Sequence, residues 1–195
     1  MALLLVIACG GQIGSPSASV ARTSARNGSP GQTALYAERC AVAQLKLDRA
    51  PQRFTEPQQQ SSLSLTLTNT SSTGCYLDGY PRVELLDGAG RVLQFQYTDG
   101  GDAVVTPNPP VHVDLPPSGI GYVTINKSVC ENGDVGPITG MRLTPPGESS
   151  PIALPNPGTF MMFCGASPVP GSTLYVSPVE PTFSATLQSY IGGGY

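Results

Sequence analysis

Charged residues are scarce in this sequence of 195 residues, at 12% of the chain. Ten basic residues stand against thirteen acidic ones, so the net charge is −3 and no basic excess is available to bind the phosphate backbone of a nucleic acid. Tryptophan is absent, and histidine occurs once. No segment reaches the roughly 18 consecutive apolar residues of a membrane-spanning helix. We therefore expect neither a nucleic-acid partner nor a spanning helix.

Glycine and proline are abundant instead, at 23 and 20 residues. A chain of this length supports one domain with a sizeable hydrophobic core. Residues 10–34 are mostly Gly, Ser, Ala and Pro without any period, so we predict a flexible tether with a root-mean-square reach of about 25–30 Å. The domain is predicted over residues 35–190, and residues 191–195 are predicted to form a C-terminal tail.

The first nine residues, MALLLVIAC, form an apolar stretch that ends in Cys9. This pattern resembles a bacterial lipobox, in which a signal peptidase cleaves before the cysteine and the new N-terminal cysteine is acylated. Several acyl chains anchor a protein stably, whereas one myristoyl chain is marginal. A signal peptide normally spans about 15–30 residues and begins with basic residues, so residues 1–9 fit a truncated one. We predict lipidation of Cys9 and an extracytoplasmic protein anchored to the cell membrane. The alternative is a secreted or cytosolic protein with a chance apolar start.

Apolar and polar residues alternate repeatedly along the rest of the chain, most clearly over residues 63–68, where the leucines point one way and the hydroxyls the other. This is the pattern of a half-buried strand. Short strands with Gly/Pro turns, and no sustained helical stripe, predict an all-β, immunoglobulin-like β-sandwich rather than a barrel. The turn at residues 87–90 predicts a hairpin between residues 82–86 and 91–97. The other predicted strands are residues 41–47, 111–115, 121–125, 140–144, 174–177 and 183–187.

Four cysteines remain when Cys9 is set aside, an even number in a chain that we expect outside the cytoplasm. Four cysteines allow three connectivities. We favour Cys40–Cys75 with Cys130–Cys164, because the two closed loops then have similar lengths. A zinc site is the competing interpretation, but the spacings contain no Cys-x-x-Cys pair and the histidine is far from each cysteine in sequence. We predict two structural disulfides.

Residues 67–81, LTNTSSTGCYLDGYP, resemble the signature of domain of unknown function family 4232. In that family a strand ends in a run like Asn-Thr-Ser, followed by a cysteine, a Gly-Tyr-Pro turn and a strand that leads to an Asp/Gly hairpin. The likeness covers about residues 38–179. Members resemble exported or lipid-anchored actinobacterial proteins with two disulfides and a predicted all-β sandwich. The resemblance therefore implies this fold and this location, and it implies no activity.

His112 is the only histidine and so the only side chain with an ordinary pKa suited to a general base near neutral pH. It alternates with Val111 and Val113, so we expect it to share the solvent face of a strand with Asp114. Serines are abundant, but no Gly-x-Ser-x-Gly nucleophile elbow occurs. We interpret His112 as an exposed strand histidine and predict that the protein is not an enzyme.

A copper site is the weak metal alternative, with His112 and Met161 as ligands, because thioethers and imidazole suit Cu(I). Two features oppose it: Cys164 is expected in a disulfide, and the adjacent Met161 and Met162 would face opposite sides of a strand. Core packing explains the methionines better. We predict no metal and no cofactor.

The proline-rich segment 106–110, TPNPP, is stiff enough to present an ordered surface, and rigid loops and tyrosines are common recognition devices. Packing explains the candidate tyrosines equally well. The leading hypothesis is a non-enzymatic cell-envelope lipoprotein that binds an envelope protein or a cell-wall glycan. The alternative is an exported copper-binding protein or hydrolase centred on His112. The candidate tyrosines are Tyr76, Tyr80, Tyr97 and Tyr122.

Overall fold

The computed structural model describes residues 36–52, 54, 62–130, 135–155, 162–166 and 171–188, all within the compact unit Ala34–Tyr195. These residues form strands and short 3₁₀ helices, which confirms the predicted all-β class. The immunoglobulin-like arrangement and the domain boundaries stay predictions. Cys9, Met161, the predicted tether and the predicted tail lie outside the described residues. Within the described ranges, no helix is long and apolar enough to cross a membrane.

Twelve short strands are seen in the described residues, and two 3₁₀ helices cover Val42–Gln44 and Ser184–Thr186. The strands are β1 (Leu45–Arg49), β2 (Ser62–Asn69), β3 (Cys75–Leu77), β4 (Arg82–Leu86), β5 (Gln96–Asp99), β6 (Val113–Leu115), β7 (Ile120–Lys127), β8 (Gly136–Pro137), β9 (Gly140–Thr144), β10 (Ile152–Pro155), β11 (Met162–Phe163) and β12 (Thr173–Val176).

Two larger sheets share one hydrophobic core. The first has the strand order β1-β2-β7-β12-β5 and the second β10-β9-β4, while β3–β6 and β8–β11 are two-stranded pairs. Only β12 and β5 pair in parallel among the described strands. The apolar residues that alternate along the strands turn inward and form a single cluster, so each contributes roughly 1.5–3 kcal/mol on burial. Fully buried members include Leu65, Leu67, Leu85, Ile125, Leu143 and Leu174.

Strand β2 differs from the predicted half-buried strand, because both of its faces are buried. The second face is covered by the segment after β12, and a chain of hydroxyls fills the contact. Ser64 Oγ is hydrogen-bonded to Thr124 Oγ1 at 2.7 Å, and Thr124 Oγ1 is hydrogen-bonded to Thr186 Oγ1 at 2.6 Å. Because these hydroxyls satisfy one another, a polar face can be buried without a large desolvation cost. The polar residues of this face of β2 are Ser62, Ser64 and Thr66, which are 4%, 4% and 7% exposed.

Two predicted strands are wrong over part or all of their length, because local hydrogen bonds favour 3₁₀ turns there. Before β1, Gln44 Oε1 accepts a hydrogen bond from Ala41 N at 2.9 Å, which closes the turn at Val42–Gln44. Near the C-terminus, Thr186 Oγ1 donates to Phe183 O at 2.6 Å and helps to hold the turn at Ser184–Thr186. Side-chain to backbone bonds of this kind compete with strand formation.

The predicted hairpin after β4 is present only directly beside its turn. An antiparallel bridge joins Leu86 to Val92, and Leu93 N donates to Leu85 O at 2.8 Å. The chain then leaves this sheet, and β5 pairs in parallel with β12 of the other sheet. Strand β4 pairs instead with β9, over five residues.

Both disulfides of the favoured pairing are present, Cys40–Cys75 and Cys130–Cys164, with sequence separations of 35 and 34 residues. The first lies in the core, where Cys40 and Cys75 are 0% and 1% exposed. Disulfides persist in oxidising compartments. The two bonds therefore indicate an extracytoplasmic domain.

Candidate binding site

The candidate site lies on the solvent side of a small three-stranded arrangement around β3. On one side of β3, Cys40 N donates to Tyr76 O and Tyr76 N donates to Glu38 O, each at 2.9 Å. On the other side, Tyr76 pairs with Asp114 of β6. Side chains alternate between faces along a strand. Cys40 and its disulfide partner therefore point to the core, while Arg39, Tyr76 and Asp114 lie abreast on the opposite face.

These side chains form a layered arrangement that we name the Tyr76 stack, consisting of Arg39, Tyr76, His112 and Asp114. The ring of His112 stacks on that of Tyr76 with 4.2 Å between centroids and 22° between planes. The guanidinium carbon of Arg39 lies 5.1 Å from the Tyr76 ring centroid, in cation–π geometry. Arg39 and His112 thus approach the tyrosine from the two chain segments beside β3. The guanidinium and the imidazole each contact the Tyr76 ring.

Hydrogen bonds fix both ends of the Tyr76 stack. Arg39 Nη1 donates to the carbonyl oxygen of Asp78 at 3.2 Å. His112 Nε2 lies 3.0 Å from Asp114 Oδ1. The expectation that His112 and Asp114 share one solvent face therefore agrees with the geometry, although β6 begins one residue after His112.

The start of the described chain also meets the stack. Tyr36 N donates to Asp114 Oδ1 at 2.9 Å. The ring of Tyr36 packs on Gly74 so closely that a Cβ added there would lie 2.1 Å from a ring carbon. Only glycine leaves room for this contact, so the residue before Cys75 in the signature is specified by the aromatic ring above it.

The His112–Asp114 pair is the most chemically active arrangement in the site. A carboxylate that orients an imidazole is the arrangement used by general bases. In the described part of the chain, however, His112 hydrogen-bonds to Asp114 alone, and no group of three or more His, Cys, Asp or Glu side chains could hold a metal ion. Cys164 is disulfide-bonded, and Met161 lies outside the described residues. His112 and Asp114 thus belong to the ordered surface built on Tyr76.

The proline-rich segment and Tyr80 are in contact with each other. Tyr80 Oη donates to the carbonyl oxygen of Asn108 at 3.5 Å. Thr106 N donates to Thr186 O at 3.0 Å and Asn108 N donates to Thr106 Oγ1 at 3.2 Å, so the segment is tied to the body of the domain. Tyr97, which is 37% exposed, contacts β4 instead, because its hydroxyl accepts a hydrogen bond from Leu85 N at 3.4 Å, and partial burial raises the pKa of its phenol.

One family model matches the chain, over residues 40–180, and its description is Domain of unknown function (DUF4232). The match covers well over half of the sequence. The chain belongs to this family. The resemblance read from residues 67–81 is thereby confirmed. No curated protein and no solved structure matched the chain. The matched range of the DUF4232 domain contains Tyr76, His112 and Asp114, and it begins one residue after Arg39.

Sequence reasoning missed two contributors to the site of the DUF4232 domain, Tyr36 and Arg39. The position of Arg39 carries a usable signal, because it directly precedes Cys40. If Cys40 lies in a strand and its disulfide points inward, the neighbouring side chain must point outward. Tyr36 carries no such local signal, since its contact with Gly74 joins two distant parts of the chain.

A buried carboxyl, Glu180, lies elsewhere in the DUF4232 domain at 4% exposure. Its backbone pairs with that of Tyr122, and burial raises the pKa of the carboxyl. The pKa of Tyr80 is also raised, first by burial and then by the negative charges of Asp99 and Glu180. Folding therefore increases the fraction of neutral Glu180 at a given pH relative to the unfolded chain.

We expect the stability of the domain to increase on acidification because of Glu180. Its folded pKa lies above the unfolded value, so the folded state binds more protons between those two values and the free energy of unfolding falls as pH rises through that window. The Glu180→Gln variant should remove this dependence and be more stable than the wild type at pH 7. Urea unfolding from pH 4 to pH 8 measures both effects, because the window opens near the ordinary pKa of glutamate. The exposed Glu38→Gln is the control, and an unchanged pH profile for Glu180→Gln would refute the assignment.

Proposed function

We propose that the domain is a non-enzymatic binding module of the cell envelope, held at the membrane by lipid on Cys9. The observation that carries the binding proposal is the Tyr76 stack, in which three planar side chains are ordered before any partner arrives. Binding normally costs the entropy of immobilising side chains, and a pre-ordered surface reduces that cost. Tyrosine and arginine are also the residues most enriched among those that dominate interface energies.

The geometry favours a protein partner over a cell-wall glycan. A sugar ring stacks on an aromatic ring through its C–H groups and needs a free aromatic face. Tyr76 is flanked by Arg39 at 5.1 Å and by His112 at 4.2 Å. A protein partner can use the edges of these rings and the remaining guanidinium donors, because arginine carries five N–H groups in a fixed fork.

Substitution of Arg39 tests the proposed surface. Arg39→Ala removes the cation from the stack and should raise the domain concentration needed for half-maximal partner capture at least about tenfold, or roughly 1.4 kcal/mol. The matched control is Arg91→Ala, which removes an exposed guanidinium paired with Asp87 in a turn at the far end of β4. Capture from detergent-solubilised native envelopes by the immobilised domain gives the readout. Equal losses for the two variants would contradict the assignment.

The lipid anchor is supported by the apolar run before Cys9 and by the disulfides, which indicate an extracytoplasmic domain. We expect the protein extracted from membranes to carry a diacylglycerol mass on Cys9, and Cys9→Ser to move it from the membrane fraction to the medium. Intact-mass spectrometry and fractionation measure these outcomes. An unmodified Cys9, or membrane retention of the Cys9→Ser protein, would exclude the anchor.

A hydrolase is the second candidate, and the 3.0 Å contact between His112 and Asp114 is the observation that favours it. Hydrolysis of an ester or peptide probe by the wild-type domain, lost in His112→Gln, would establish this alternative. The copper alternative, with His112 and Met161 as ligands, gains no thiolate from Cys164, because Cys130 and Cys164 are bonded to each other. Stoichiometric Cu(I) on the purified domain would establish it.

A further inference from the structure

A buried lysine lies directly against the Cys130–Cys164 disulfide. Lys127 ends β7 with 2% of its surface exposed. Its Nζ donates to Ser128 O at 3.0 Å and lies 3.4 Å from Cys164 Sγ and 3.7 Å from Cys130 Sγ. The chain has only one other lysine, the exposed Lys46, which pairs with Asp48 at 2.9 Å. One of the two lysines of the chain is thus buried beside a disulfide.

The position of this ammonium matters most when the disulfide is reduced. A disulfide is neutral and its sulfurs are weak acceptors, whereas a thiolate carries a full negative charge. A cation close to a cysteine stabilises the thiolate form. Reduction therefore creates a thiolate at the place where Cys164 Sγ already lies, 3.4 Å from the Lys127 ammonium, and this contact stabilises the reduced state relative to the oxidised one.

The other disulfide provides an internal comparison. Cys40–Cys75 closes a loop of nearly the same length, 35 against 34 residues, so the chain-entropy contributions of the two bonds are almost equal. It differs in its surroundings, because both of its cysteines belong to the hydrophobic core cluster. Burial among apolar side chains disfavours a thiolate. The surroundings therefore favour reduction of Cys130–Cys164 and disfavour reduction of Cys40–Cys75.

We propose that Cys130–Cys164 is a thiol–disulfide exchange site, with Lys127 stabilising Cys164 as the leaving thiolate, while Cys40–Cys75 is purely structural. Cys130 is the sulfur that is attacked, because it is partly exposed. Cys164 is 5% exposed and packed against Gly171, where an added Cβ would lie 2.4 Å from its Sγ. The co-reactant is a dithiol.

The exchange balances in two steps. A thiolate of the dithiol bonds to Cys130 Sγ, the disulfide breaks, and its electron pair leaves on Cys164 Sγ beside Lys127. The second thiolate of the dithiol then attacks the first sulfur of the same reagent, which closes the reagent's own disulfide and releases Cys130. Two electrons pass to the protein. Of the two protons of the dithiol, one ends on Cys130 and the other is released to the buffer.

Equilibration of the oxidised full-length protein with mixtures of reduced and oxidised dithiothreitol tests the proposal. The reaction is quenched with acid, and each cysteine is then alkylated and quantified by peptide mass mapping. We expect Cys130–Cys164 to be half reduced at a ratio of reduced to oxidised reagent at least about tenfold lower than Cys40–Cys75. Simultaneous reduction, or earlier reduction of Cys40–Cys75, would overturn the proposal. This comparison uses the wild-type protein alone and does not depend on any variant folding.

Substitutions then test the part played by Lys127. Lys127→Met keeps an unbranched side chain one atom shorter and removes the charge. The ratio of reduced to oxidised reagent at which Cys130–Cys164 is half reduced should then rise about tenfold, which makes the potential of this two-electron couple about 30 mV more negative. Lys127→Arg should retain the wild-type midpoint, and the exposed Lys46→Met should leave both disulfides unchanged. An unaltered midpoint in a folded Lys127→Met protein would show that the lysine does not stabilise the leaving thiolate.

Discussion

Replacing Cys40 and Cys75 together with alanine should lower the free energy of unfolding by at least about 4 kcal/mol. The chain-entropy model gives roughly 3.8 kcal/mol for a closed loop of this length. The loss of two sulfurs from the hydrophobic core adds to that value, since the two cysteines are 0% and 1% exposed. Urea unfolding followed by circular dichroism measures the change under conditions that keep the other disulfide oxidised.

The matched control is the double substitution of Cys130 and Cys164 by alanine. Its loop is one residue shorter in sequence separation, so the entropic loss is nearly the same. Cys130 is partly exposed, however, and the packing loss should be smaller. An equal or larger loss of stability for the Cys130 and Cys164 variant would contradict the assignment of Cys40–Cys75 as the disulfide of the core.

Asn69→Ala should cost about 3–4 kcal/mol, an exceptional effect for one polar residue. The Asn69 side chain is fully buried, and its amide donates to Thr73 O at 2.8 Å and to Leu115 O at 2.9 Å. Its oxygen accepts hydrogen bonds from Ser71 N at 3.0 Å and from Ser71 Oγ at 2.8 Å. Alanine would leave several of these groups unsatisfied, at about 1–3 kcal/mol for each that stays buried.

Urea unfolding of Asn69→Ala beside Asn108→Ala provides the check. Asn108 is exposed, so its replacement should change stability by less than about 0.5 kcal/mol. A loss below about 1 kcal/mol for Asn69→Ala would mean that Asn69 does not hold the turn before Cys75 against the end of β6. The same bonds explain the signature physically, because they position the loop that leads into β3 and the Tyr76 stack.

Strands with clear alternation could be predicted from the sequence. Segments in which a side chain bonds to the nearby backbone and closes a 3₁₀ turn could not. Residues 63–68, 82–86 and 121–125 all lie in observed strands. Alternation reveals two faces of a strand but not which face a distant segment will cover. The hydroxyl face of β2 was therefore expected in solvent, although Thr186 lies against it in the fold.

The candidate site was predictable only in part, for a similar reason. The shared face of His112 and Asp114 follows from their spacing in sequence, and Tyr76 was one of four candidates among the eight tyrosines of the sequence. What distinguishes Tyr76 from the other candidates is the pairing of β3 with β6 and with the segment that contains Arg39. These are long-range contacts. The contact of Lys127 with Cys164 likewise depends on chain closure over 37 residues.

Photo-crosslinking in intact envelopes tests the central claim, a binding surface at the Tyr76 stack, most directly. A photoreactive residue is placed at position 37 in one protein and at position 89 in another. Ala37 is exposed two residues before Arg39, and Ala89 is exposed in the turn after β4, at the opposite end of that strand from the Gly-Tyr-Pro turn. We predict a discrete crosslinked protein from position 37 that is lost when Arg39→Ala is added, and no such product from position 89. The same product from both positions, or none from position 37, would contradict the account.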